Sequence, residues 1–138
     1  MHPLQELLHF LGLVPAKPKR RRRRVLRPKR LAPIPKGKRE SARKLVHMKL
    51  EYFNQFYNFS YKKVFIKNQK TRWGSCSSNN NLNFNYRIVD LAPELQDYLI
   101  VHELCHLQEF NHGKAFWDLV ATQIPNYETL RKKLHHID

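Results

Sequence analysis

Residues 93–113 read PELQDYLIVHELCHLQEFNHG. Pro93 stands where a helix favours proline at its first position, with Glu94 and Asp97 in the positive first turn. Behind them Leu95, Tyr98, Leu99, Ile100, Val101, Leu104, Cys105, Leu107 and Phe110 make a helix that is apolar nearly all round. Such a helix belongs at the buried centre of a domain. Within this apolar stretch stand His102, Glu103 and His106, an HExxH pattern. Residues i and i+4 share a helical face one turn apart, so two imidazoles at this spacing can hold one ion. Glu103 lies about 100° round from His102, where its carboxylate reaches a metal-activated water rather than the metal itself.

A third imidazole follows six residues on, at His112. On a continuing helix it would sit about 240° from His106, on the wrong side. The helix is therefore expected to end between Leu107 and Asn111, with the chain turning back through a left-handed Asn111 beside Gly113. Glu109 is the alternative third ligand, but it lies nearly a turn too far along the axis. Three imidazoles and a water make the open tetrahedral zinc site of hydrolases, not the closed site of structural fingers. Glu103 is then the general base and proton carrier for hydrolysis at an acyl carbon. Arg72, Tyr86, Arg87 and Tyr127 are the oxyanion or substrate candidates, and the spacing does not choose among them. Cys105 reads as a core thiol and Trp73, Phe116 and Trp117 as core packing; Cys76 reads as a buried strand residue, with a thiolate near zinc or a bond to Cys105 as the alternatives. His135 and His136 read as a solvated tail.

Working outward, Leu45, Val46, Leu50, Phe53, Phe56 and Tyr57 recur at helical spacing from Ser41 onward. Val64-Phe65-Ile66, residues 71–76 and Leu82–Tyr86 read as three short strands, the last half-buried by its period of two. An antiparallel meander is the simplest arrangement. A further helix is expected from about Gly113 to Gln123, broken by Pro125, and a short one over Tyr127–Leu134. The class is α+β: a helix, then a small sheet packed on the central helix, then C-terminal helices.

The chain has 138 residues and a formal charge of +15. Residues 17–44 carry 15 of the 26 basic residues and one acid, Glu40, while residues 45–138 carry only +2. The charge thus belongs to a proline-rich arm, not to the domain, which excludes a uniformly basic globule. Lys19, Arg20, Arg21, Arg22, Arg23, Arg24, Arg27, Lys29 and Arg30 are its densest polyanion-binding candidates, for DNA or RNA. The chain divides into residues 1–16, a short helical or weakly ordered segment; 17–40, the arm; and 41–138, the domain. Two cysteines are too few for a secreted disulfide scaffold, and residues 1–14 lack the features of a signal peptide. No apolar run reaches membrane-spanning length. The expected setting is the reducing cytoplasm, at the nucleoid or ribosomes if the arm binds there, and the expected state is a monomer.

Taken together, several motifs resemble one family. These are Arg72-Trp73-Gly74-Ser75-Cys76-Ser77, Leu82-Asn83 with Asn85 and Arg87, Leu91-Ala92-Pro93, His102–His106, Asn111-His112 and Phe116-Trp117. They resemble the YgjP-like metallopeptidase domain, related to the SprT and WLM minimal zinc proteases. The resemblance is close over about residues 70–117 and looser over 41–138. It implies a zincin-like fold with a small sheet over the active-site helix. It also implies one Zn2+ on His102, His106 and His112, with Glu103 catalytic and a protein or peptide as substrate. The basic arm stands where family members carry further strands. The histidine spacing also matches metzincins, but Glu109 replaces their glycine and no methionine follows the site. Two other function classes compete with a peptidase. A zinc nucleotide phosphohydrolase lacks a visible phosphate-cradling glycine loop. A non-catalytic polyanion-binding module with structural zinc would have no use for Glu103.

Overall fold

The structure, a computed structural model, describes residues 32–137. Residues 1–16 and the basic run Lys19–Arg30 lie outside the described residues. Helix α1 spans Lys38–Tyr57, beginning three residues before Ser41. Ala42, Val46, Leu50 and Phe53 form its buried stripe, and Phe56, expected on that stripe, is instead 51% exposed. Asn58 ends the helix in the left-handed conformation, with its N–H donating to the Asn54 carbonyl. The Asn54 side chain then holds Phe59 from both sides: its amide donates to the Phe59 carbonyl and its oxygen accepts from the Phe59 N–H, each at 2.9 Å.

Strands β1 (Val64–Lys67), β2 (Gly74–Cys76) and β3 (Leu82–Asn85) form one sheet in the order β1-β3-β2. The meander is thus corrected: β3 is the central strand, parallel to β1 and antiparallel to β2. Strand β3 is also buried throughout, not half-buried. Its two asparagines tolerate this because their amides are satisfied. Asn83 donates to Ser75 Oγ at 3.1 Å, and Asn85 donates to the Gln69 and Arg72 carbonyls.

After a 3₁₀ turn over Tyr86–Asp90, α2 (Pro93–Cys105) starts with Pro93 in its first turn. Nine of its residues are buried, from Leu95 to Cys105, and α2 packs against α1, β2 and both later helices. Lys49 of α1 clamps the entry of α2 through Asp97 at 2.5 Å. Helix α3 (Lys114–Gln123) buries Phe116 and Val120, and α4 (Tyr127–His136) buries Leu130. Among the described residues no helix is long and apolar enough to cross a membrane.

Candidate metal centre

Helix α2 stops at Cys105, two residues earlier than expected, and His106 caps it with right-handed backbone. The N–H groups of Leu107, Gln108 and Glu109 fold back onto the Leu104 and Cys105 carbonyls, so the chain turns immediately. Asn111 is not left-handed, since Asn58 and Asn80 are the positive-φ residues other than glycine among those described. The early stop replaces the asparagine turn and still returns His112 to the helix.

The result is a triangle of imidazole nitrogens. His102 Nε2 lies 3.1 Å from His106 Nε2 and 3.3 Å from His112 Nε2, and the last two are 2.9 Å apart. The Glu109 carboxylate is not part of this group. What Glu109 supplies is its backbone carbonyl, which accepts from His106 Nδ1 at 3.0 Å. That bond puts the proton on Nδ1 and leaves the Nε2 lone pair facing the cluster. Tyr98 Oη lies 3.1 Å from His102 Nδ1 and can fix that ring in the same way. Phe116 stacks on His106 at 4.4 Å between centroids, and Trp117 Nε1–H donates to the His112 carbonyl at 3.2 Å.

Burial keeps the His102 and His106 rings neutral, as metal ligands must be. Burial pushes His102 down to about 3, with the neighbouring His106, His112 and Arg131 adding to the effect. Burial also lowers His106. The donor set fits a metal on its own chemistry. A tetrahedral ion with Zn–N bonds of about 2.0–2.1 Å needs nitrogens about 3.3–3.4 Å apart, close to the edges seen.

Glu103 is 4% exposed, and its Oε2 has no hydrogen-bond partner. Its other oxygen, Oε1, lies 3.9 Å from His102 Nε2. Burial raises the carboxyl to about 8, while the Arg72 charge pulls it down. Space for it is made by a residue whose role the sequence reading did not single out. A Cβ on Gly74 would stand 3.1 Å from Glu103 Cγ and 3.0 Å from the Asn83 carbonyl oxygen. Gly74→Ala is therefore expected to displace the carboxylate and lower hydrolysis about 100-fold, since small misplacements of reacting groups cost that much. Zinc content should not change. Zinc analysis beside a casein assay checks this, and unimpaired turnover would show that the close approach is unnecessary.

The four oxyanion or substrate candidates take different places. Arg72 is exposed and acts on Glu103 through its charge. Arg87 is committed to structure: Nη2 donates to the Gln69 carbonyl at 3.1 Å, and its guanidinium lies 5.7 Å from the Trp73 ring centre. Tyr86 is half-buried against the core. Tyr127 stacks on Trp117 at 4.9 Å, and Trp117 in turn stacks on His112. Trp73 and Trp117, read as core residues, are only partly buried and flank the site. Cys105 is a buried free thiol as expected, whereas Cys76 is a half-buried one. Beside His102 opens a cleft of about 600 Å³ with Trp73 and Tyr98 on one side and α4 on the other. Arg131 of α4 was missed from sequence, because nothing in a helical charge run says which lysine or arginine faces a site.

The fold and centre are those of a small metallopeptidase. The family of the YgjP-like metallopeptidase domain matches residues 18–137, so the chain belongs to it. That match reaches back through most of the basic arm, beyond the 41–138 span suggested by the motifs alone. Among solved structures, the chain is similar to the metallopeptidase zymogen of Pyrococcus abyssi abylysin, at 21% identity and a TM-score of 0.59. That likeness covers 64% of this chain and 90% of the other. It is also similar to the metallopeptidase zymogen of Methanocaldococcus jannaschii jannalysin, at 26% identity and a TM-score of 0.54, covering 69% and 94%. A comparison with curated proteins finds no match.

Proposed function

We propose that this chain is a zinc-dependent peptidase whose ion is held by His102, His106 and His112 and whose general base is Glu103. The observation that carries the reading is the Nε2 triangle with a buried carboxylate beside it. When bound there, zinc supplies Lewis-acid activation of a water and of the scissile carbonyl. Glu103 takes a proton from the attacking water on a carboxylate oxygen and delivers it to the leaving amine. Its burial raises its proton affinity towards the value such a shuttle needs. Tyr98 and the Glu109 carbonyl hold the rings in position from behind. The substrate peptide lies in the cleft along α4, where Arg72 and Tyr127 remain candidates for steadying the developing oxyanion. The test is zinc content and casein hydrolysis measured together for the wild type. A protein that binds no zinc, or binds it and cleaves nothing, would sink the reading.

The basic arm addresses the enzyme to nucleic acid. At its described end three cations already have partners on the domain: Arg39 donates to the Ile66 carbonyl at 2.9 Å, and Lys38 and Arg43 form surface pairs with Asp90 and Glu40. The polyanion-binding charge therefore belongs to Lys19–Arg30, and the enzyme works as a cytoplasmic monomer at nucleic-acid-bound proteins. Removing residues 1–31 is expected to weaken binding to a 20-nucleotide DNA at least about tenfold in low salt and to flatten its salt dependence. A filter-binding series across salt concentrations measures both. An unchanged slope would remove the assigned role.

A further inference from the structure

The cleft beside His102 has a chemical bias that the metal site does not explain. Trp73 and Tyr98 make part of its lining aromatic, and α4 adds Arg131 and Lys132 against a single carboxylate, Glu128. His135 and His136, expected to be a solvated tail, also line it. Arg131 is the best-placed cation. Its guanidinium lies 5.0 Å from the centre of the Trp117 ring, a cation–π contact that orients the fork without using its N–H donors. Among the described residues it forms no ion pair with a carboxylate. Trp117 also touches the His102 ring, at 5.8 Å between centroids. The guanidinium is thus within about 11 Å of that ring, a span of about three extended residues.

We infer that Arg131, supported by Lys132, selects substrates carrying a carboxylate within three residues of the scissile bond. The inference rests on the peptidase reading above. Arginine is suited to this because its planar fork binds a carboxylate through two parallel, charge-assisted hydrogen bonds. The carboxylate can come from an aspartate or glutamate side chain or from the substrate's own C-terminus.

Two sets of peptides separate those sources. In the first, a glutamate is walked through three positions on either side of the cleaved bond of an amidated peptide, with glutamine as the control. In the second, an uncharged peptide ends one to three residues beyond the bond, as free acid or as amide. The zinc-loaded wild type should favour the carboxylate at one position, or at the free terminus, by about tenfold in kcat/KM. Arg131→Gln should bring that ratio to within about twofold of unity, and Arg131→Glu should reverse it in favour of a lysine peptide. Arg131 is exposed, so both variants should fold and keep zinc. Binding of the same peptides to the Glu103→Gln protein, followed by tryptophan fluorescence from Trp73 and Trp117, should give the same ranking without turnover. Cleavage with no preference in the wild type, or a preference unchanged in Arg131→Glu, overturns the inference and leaves the peptidase reading standing. Ranked binding without cleavage by the wild type does the reverse.

Discussion

Glu103→Gln is expected to keep one zinc per chain and to lose about 10²–10⁴-fold in peptide hydrolysis, the usual contribution of a positioned acid–base group. The substitution is nearly isosteric, which matters because the side chain is 4% exposed and packs closely over Gly74. It leaves the three imidazoles untouched, so metal content separates chemistry from folding. The amide cannot take on the charge that burial disfavours at this position, so the variant should be about as stable as the parent and can be measured at the same temperature. Equal turnover by both proteins would show that Glu103 moves no proton. Loss of zinc in the variant would show instead that the carboxylate helps to hold the ion.

The centre of the fold was legible because local spacing determines it. HExxH on an apolar helix fixes two imidazoles on one face whatever surrounds them, and the geometry of that helix alone required the chain to turn back for His112 to join them. What the turn looked like was not legible. It comes from the stop at Cys105 and from backbone bonds to Leu104 and Cys105, not from the conformational tastes of Asn111. The sheet failed for a different reason. Strand order depends on long-range pairing, and the period-two pattern of Leu82–Asn85 signals an exposed face only if its asparagines lack buried partners. Here Ser75, Gln69 and Arg72 supply those partners. Gly74 and Arg131 were hidden likewise: a glycine's role is set by what its missing Cβ would strike, and an arginine's by the face its helix turns to the cleft. The net charge of +15 was the most visible number in the sequence and says least about the site.

Removing zinc is expected to abolish hydrolysis and to lower the melting temperature by at least about 10 °C, since each kcal/mol moves a domain of this size by about 4–8 °C. An ion held by the three imidazoles would tie the end of α2 to the loop that carries His112, and binding to the native state alone would stabilise it by mass action. His112 isolates that contribution. It is the exposed member of the set, whereas His102 and His106 sit on the buried helix among Tyr98 and Phe116. In the metal-free state His112→Ala should therefore melt within about 2 °C of the wild type, because exposed positions contribute little to the apo fold. On adding zinc, the wild type should rise and the variant should rise far less, with its hydrolysis lost. His106→Ala should instead fail in both states, through the missing ligand and the cavity left beside Phe116. Differential scanning calorimetry with and without 1,10-phenanthroline, paired with zinc analysis, reads all three proteins. A melting temperature indifferent to zinc would mean that the triangle of nitrogens does not close on an ion, and an apo His112→Ala protein far less stable than apo wild type would make His112 a structural residue first.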